Sequence, residues 1–367
     1  MPRPAAPLWL TAPSRFATLR YAQARGVLVA LALLLALCLT ALAPGAAPRL
    51  STGPGQTDLE LYEHIAAGVR GGGDYYRVTA KALREGDYPL RPFVTFRLPT
   101  LALLQAALPA ALLRALLYTL CLGVILAWAV RLREGVARAL PWVAGLLLLL
   151  AGMTANLQVE LAGFHEIWAG LLIALSLALY RPDQWRDAVA FALMAMLLRE
   201  TAALYVLIMA ALAWMSGARR EALGWAAALG VFALVIMAHA WAVSRVVTIT
   251  DPASPGWSGL LGPGFFVRTM TMSTALAAAP LWLGAMLVGL ALFGWASWRD
   301  PLALRVLAVL AGYAVLISLF GRADTFYWGL MAAPLLPLGL VFAPDGLRDL
   351  AAAAMDRRRI TVTRLRR

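Results

Sequence analysis

Residues 187–217 read DAVAFALMAMLLRETAALYVLIMAALAWMSG, a nearly continuous apolar stretch broken once, at Arg199-Glu200. Read as one helix, it crosses a membrane once and reverses the side of everything after it. Arg219, Arg220, Arg299 and the tail DRRRITVTRLRR (356–367) then face outward, against the bias that keeps short basic connections in the cytoplasm. Read as two segments that turn back at Arg199-Glu200, it leaves all of them inside. Each half is then too short for a hydrocarbon core of about 30 Å at about 1.5 Å per residue. A turn held below the membrane surface needs a protein-lined or water-filled cavity beside it. The charge pattern favours the hairpin.

Working outward, about ten apolar stretches follow one another: 26–43, 109–130, 140–155, 167–180, 188–198, 202–215, 223–243, 275–296, 302–320 and 326–342. Arg3, Arg15, Arg20 and Arg25 set the N-terminus inside. Alternation then brings Arg131, Arg133 and Arg138, Arg181 and Arg186, Arg219 and Arg220, Arg299 and the tail to that same side. The expectation is all-α, a polytopic transmembrane bundle forming one domain over 1–367 in the inner membrane. Residues 1–25 and the basic tail 346–367 are cytoplasmic, and 45–108 form the first periplasmic loop. The segment up to APGAA resembles a signal peptide, but 26–43 is long enough to span and reads as an uncleaved first helix.

Composition agrees. Hydrophobic residues make up 62% of 367 positions and charged ones 14%, against about half and about a quarter in soluble domains. The net charge of +13 lies at the ends of apolar segments and in the tail. That pattern suits cytoplasm and anionic headgroups, so membrane lipids are partners and nucleic acid is not. Cys38 and Cys121 fall inside apolar segments and read as small hydrophobes facing lipid. Trp128, Trp214, Trp225, Trp241, Trp295 and Trp298, near segment ends, read as an interfacial belt.

The long outer segment carries TDLELYEHIAAGVRGGGDYYRVTAKALREGDYPLRPFVTFRLP. Leu59, Tyr62, Ile65 and Ala66 recur at helical spacing, GGG interrupts, and 75–84 forms a second helical stretch. Two short amphipathic helices on the outer leaflet satisfy this pattern. Residues 96–108, punctuated by Pro99, dip toward the membrane without crossing.

Acidic residues are enriched on this outer face: Asp58, Glu60, Glu63, Asp74, Glu85, Asp87, Glu160, Glu166, Glu200, Asp251 and Asp324. Asp58 opens a helix, where it would serve as an N-cap or as a general base taking a proton from an attacking hydroxyl or amine. Glu60, two positions on, faces elsewhere on that helix. Glu160, His165 and Glu166 match no metal-binding spacing and, with Glu200, stand as candidate substrate contacts; no metal or other cofactor is implied. Arg199-Glu200 is either an internal ion pair holding the hairpin turn or, through Arg199, a grip on an anionic group. Arg77, Arg91, Arg97, Arg199, Arg268 and Arg322 stand outside against the charge rule, and form a candidate phosphate-binding set. No phosphate-cradling nucleotide loop or dinucleotide fingerprint is present, so an activated substrate would arrive on a lipid.

Four places together resemble the GT-C superfamily of integral-membrane glycosyltransferases, which includes polyprenyl-phosphate-mannose protein mannosyltransferases and lipid A aminoarabinose transferases. They are TDLELYE after the first helix, GGGDYYRVTAKALREGDYPLRP running into FRLPTLALL, the acidic turn LLRETAALYVL, and GRADTFYWGLMAAPLLPLGL at the last span. The resemblance implies a polyprenyl-phosphate sugar donor, inversion at the anomeric carbon, and an outer-loop carboxylate, Asp58 or Glu60, as base. It adds Asp74, Tyr75, Tyr76 and Tyr327 to the substrate-binding candidates. The acceptor stays open among glycan, lipid and protein. The first loop lacks a paired acidic dipeptide, and no large C-terminal outer domain follows the spans. A transporter or lipid flippase, or a noncatalytic scaffold, are the competing readings.

Overall fold

In the computed structural model, residues 6–46, 57–257 and 259–356 are described, and among them regular structure is α- and 3-10-helical with no β-strand. Helix α1 (Tyr21–Leu39) leads to two short helices, α2 (Asp58–Arg70) and α3 (Tyr75–Glu85), then to α4 (Thr100–Ala107). A bundle follows: α5 (Ala110–Gly135), α6 (Ala139–Gly152), α7 (His165–Leu179), α8 (Arg186–Leu198), α9 (Ala203–Met215) and α10 (Arg219–Ser244). Then come α11 (Gly262–Met272), α12 (Leu281–Ser297), α13 (Pro301–Phe320) and α14 (Ala343–Met355).

Among the described residues, four helical segments are long and apolar enough to cross a membrane: Tyr21–Leu42, Ala110–Gly135, Arg219–Ser244 and Pro301–Phe320. On these segments Leu33, Leu126, Leu234 and Val315 are exposed, which suits a hydrocarbon surround rather than water. Helices α6, α7, α9 and α12 are apolar but shorter. Helix α7 is buried on every side from His165 to Ala178, the mark of a helix at the centre of a bundle.

The apolar stretch 187–217 is a hairpin. Helices α8 and α9 meet at a 3-10 turn, Glu200–Ala202, and their far ends lie together. The segments 182–187 and 217–221 line one cleft. A Cβ at Gly224 would run into the Trp185 ring. Tyr180 Oη lies 3.1 Å from Glu221 Oε2, and Arg305 Nη2 lies 3.3 Å from Glu221 Oε1. A continuous helix would hold residues 186 and 215 about 40 Å apart.

That end of the bundle collects the basic connections. Arg181 pairs with Glu134 at 2.8 Å, Arg131 reaches Asp300 at 3.3 Å, and Arg299 donates to the Ser14 carbonyl at 3.1 Å. The N-terminal segment is clamped there too. Asp345 of α14, fully buried, accepts the amides of Leu8, Trp9 and Leu10 at 2.7–2.9 Å. The other end gathers α2, α3, the 86–99 loop, residues 245–257 and 259–262, and residues 321–328 around the hairpin turn.

Three expectations need correction. Residues 326–342 form no α-helix but successive 3-10 segments, Phe326–Met331, Ala333–Leu335 and Pro337–Phe342. Pro334 and Pro337 remove amide donors that an α-helix needs. The tighter 3-10 winding rises about 2.0 Å per residue. Glycines let neighbours close on this segment: a Cβ at Gly152, Gly170 or Gly294 would collide with the carbonyls of Pro334, Leu330 and Gly339. The tryptophans are not all belt residues. Trp128, Trp225, Trp295 and Trp298 are buried, Trp128 against Trp295, Trp225 against Tyr205, and Trp295 and Trp298 against Phe342, whereas Trp214 and Trp241 are exposed. Cys38 and Cys121 are buried within the protein rather than turned to lipid.

Candidate functional site

At the end away from the basic connections, a cavity of about 200 Å³ opens beneath α2 and α3. Helix α2 lines it with Asp58, Leu61, Tyr62 and Ile65, positions that share one helical face. The cap that starts α2 is Thr57, not Asp58. Thr57 and Glu60 bond reciprocally, Glu60 Oε2 accepting the Thr57 amide at 2.7 Å and Thr57 Oγ1 the Glu60 amide at 3.3 Å. Capping therefore consumes Glu60 and leaves the Asp58 carboxylate for the cavity.

Helix α3 adds Tyr75, Thr79 and Leu83, again one face, started by an Asp74 side chain that accepts the Arg77 amide at 3.1 Å. The following loop brings Tyr88, Thr95 and Arg97. His165 comes from the start of α7, and Arg322, Asp324, Tyr327 and Trp328 from the chain after α13. The Tyr88 hydroxyl bonds to Asp58, and burial followed by that carboxylate raises the Tyr88 phenol above its ordinary value, so it stays a donor.

Arg97 is held from two sides. Its Nε donates to Tyr62 Oη at 3.2 Å, and Tyr75 Oη donates to its carbonyl at 2.7 Å. Burial opposes its charge, but Tyr62, Tyr327, Glu200 and Glu166 outweigh that and raise its pKa. No carboxylate forms an ion pair with Arg97 among the described residues. Arg322 differs, its Nη2 lying 2.7 Å from Asp324 Oδ2.

Behind the Arg97 wall lies a buried charge cluster. Arg199 Nε is 2.6 Å from Glu166 Oε1, an ion pair poorly aligned for a hydrogen bond, and its Nη1 is 2.9 Å from Glu200 Oε2. Glu200 Oε1 accepts the Leu98 amide at 3.3 Å, which ties the hairpin turn to the residue after Arg97. Of the two readings of Arg199, the geometry has the internal ion pair, and its guanidinium does not line the cavity.

Comparison with protein-family models, curated proteins and solved structures finds no significant match. The cavity gathers part of the candidate set. Of the candidates, Asp58, Tyr75, Arg97, His165, Arg322 and Tyr327 meet there. Glu60, Asp74, Arg77 and Glu160 stay on the exposed surface. Tyr76 bonds His239 at 3.2 Å, and Arg91 bonds the Asp251 carbonyl at 2.8 Å. Arg268 ties α11 to the carbonyls of Ala41 and Ala43 after α1. Among the described residues, no group of three His, Cys, Asp or Glu is placed to hold a metal.

The sequence reading missed Tyr88, Thr95, Trp257 and Trp328, and took Tyr62 for a packing residue. Tyr62 was recoverable, since it stands four positions after Asp58 and so on the same face. What the cavity assembles is two carboxylates, Asp58 and Asp324, and two guanidiniums, Arg97 and the Asp324-paired Arg322, ringed by aromatic side chains.

Proposed function

We propose that this chain is an integral-membrane glycosyltransferase of the GT-C kind, moving a sugar from a polyprenyl-phosphate donor to an acceptor on a glycan, lipid or protein. The observation that carries the reading is the meeting of Asp58, Arg97 and Arg322 in one cavity at the end opposite the basic connections. With those connections in the cytoplasm, about ten segments lie within the membrane, both termini are cytoplasmic, and the cavity opens at the periplasmic face of the inner membrane.

In this reading the acceptor hydroxyl or amine attacks the anomeric carbon as the bond from that carbon to the phosphate oxygen breaks. The configuration inverts, and polyprenyl phosphate leaves with the bonding pair. Asp58 takes the acceptor proton as the nucleophile attacks, while Tyr88 fixes the carboxylate. Arg97 and Arg322 meet the phosphate, whose negative charge grows as the bond breaks. Guanidiniums placed there stabilise the transition state more than the ground state.

The test is direct. Purified protein in lipid nanodiscs receives polyprenyl phosphates carrying radiolabelled sugars, together with cell-envelope extract as acceptor pool. Label is expected to move into extract components, with polyprenyl phosphate released in equal amount. No transfer from any sugar in the set contradicts the reading.

A further inference from the structure

Besides Thr79 Oγ1, which interacts with Tyr75 on its own helix, three buried polar atoms on the cavity wall have no hydrogen-bond partner in the protein: His165 Nδ1, Trp328 Nε1 and Thr95 Oγ1. All three side chains line the same cavity. His165 is 4% exposed and Trp328 7%, so neither has bulk water in place of a partner. Buried polar groups are nearly always paired, and each exception calls for a cause. Three exceptions around one space have a common cause when that space receives a ligand.

The chemistry of the three atoms narrows the class. An indole nitrogen only donates, a threonine hydroxyl both donates and accepts, and an imidazole nitrogen does either according to tautomer. Phosphate oxygens at neutral pH only accept, and a guanidinium suits them better. A set of mixed polarity matches hydroxyl groups, which also do both. The surroundings agree, since Tyr62 stands edge-on to the His165 ring at 5.0 Å and Tyr327 lines the space as well. Flat aromatic faces beside scattered hydrogen-bonding atoms suit a ring with apolar C–H faces and a polar rim.

We infer that His165, Trp328 and Thr95 form a subsite for a neutral, hydroxyl-rich sugar ring, separate in role from the guanidiniums of Arg97 and Arg322. The inference rests on the transferase reading for the source of that sugar, and deepens it by naming the residues that recognise the sugar rather than the phosphate. His165 and Trp328 then set which sugar is accepted, because a hydroxyl missing or inverted leaves one of them unpaired.

The experiment compares two probes on the full chain in nanodiscs: sugar-free polyprenyl phosphate, and polyprenyl phosphates bearing mannose, glucose, galactose or arabinose. The parent should bind at least one glycosylated lipid about tenfold more tightly than the bare phosphate. His165→Phe and Trp328→Phe should each erase most of that gap and leave the bare-phosphate affinity within about twofold. His165→Asn, which keeps hydrogen-bonding capacity, should recover part of it and control for folding. Equal weakening of both probes in the Phe variants overturns the subsite, as does a parent that shows no gap for any sugar. If no lipid binds the parent, the donor class has failed, and methyl glycosides of the same sugars decide the subsite by saturation-transfer NMR. Glycoside contact that His165→Phe abolishes then sustains it, and no contact overturns it.

Discussion

Arg199 and Glu166, thirty-three residues apart in sequence, meet with 2.6 Å between Nε and Oε1 while each side chain is 2% exposed or less. The pair joins the start of α7 to the hairpin turn, and Glu200 completes it on the other side. Two carboxylates and one guanidinium leave a surplus negative charge, which Arg97 faces across the wall.

Breaking such a cluster should cost more than its net worth, because a stranded buried charge remains. Arg199→Met leaves two carboxylates facing each other and is expected to destabilise by about 3–5 kcal/mol. Glu166→Gln keeps a polar partner and should cost less. Thermal melting in detergent checks the order, and an Arg199→Met melting temperature at or above the parent's contradicts it.

The hairpin was legible in the sequence because charge placement is a long-range constraint that a single helix would violate at three places, Arg219-Arg220, Arg299 and the tail. The cavity was legible only in part. Asp58 and Arg322 stand out by type and position, but Trp328 follows Tyr327 in an aromatic run that reads equally well as packing. Glu60 misleads for a local reason, since its own carboxylate bonds back to the Thr57 amide three residues before it. The 3-10 course of 326–342 was hidden because its apolar residues satisfy helical and 3-10 periods alike over so short a span. Its glycine partners, Gly152, Gly170 and Gly294, sit on three other helices.

The hairpin makes a topological prediction. In a variant lacking Cys38 and Cys121, single cysteines at positions 183 and 220 should react with a membrane-impermeant thiol reagent from one side, and cysteines at 253 and 324 from the other. Labelling of 183 and 220 from opposite sides would mean that 187–217 crosses as one helix.

Glycine packing around the 3-10 segment predicts sharp intolerance. Gly294→Ala and Gly170→Ala each push a methyl group into a backbone carbonyl, with no flexible side chain to yield. Overpacking of this kind costs about 1–3 kcal/mol. Gly123→Ala, where nothing lies within 4 Å, should be nearly neutral. The comparison is read from melting temperatures, and equal values for all three variants refute it.

The roof of the site is pinned by a bidentate pair, Arg84 Nε to Asp251 Oδ1 and Nη2 to Asp251 Oδ2, both 2.8 Å. The Arg84 bonds, then the Thr248 amide, hold the Asp251 carboxyl well below the usual carboxylate range. A folded-state pKa below the unfolded one adds stability that is fully present above about pH 4 and is lost as pH falls through the folded value. NMR of 13C-labelled aspartate should therefore find Asp251 ionised throughout pH 4–8 in the parent. In Arg84→Ala it should titrate closer to the ordinary range. A parent Asp251 titrating near pH 4 contradicts the assignment.

The most direct test of the central claim is the rate of sugar transfer from a polyprenyl-phosphate donor by Asp58→Asn. Asparagine keeps the shape and removes the charge that accepts a proton, while the Thr57–Glu60 cap that starts α2 is untouched. General-base catalysis contributes about 10²–10⁴-fold, so transfer should fall by that much, with donor affinity and melting temperature close to the parent's. Turnover at the parental rate in Asp58→Asn would contradict Asp58 as the base.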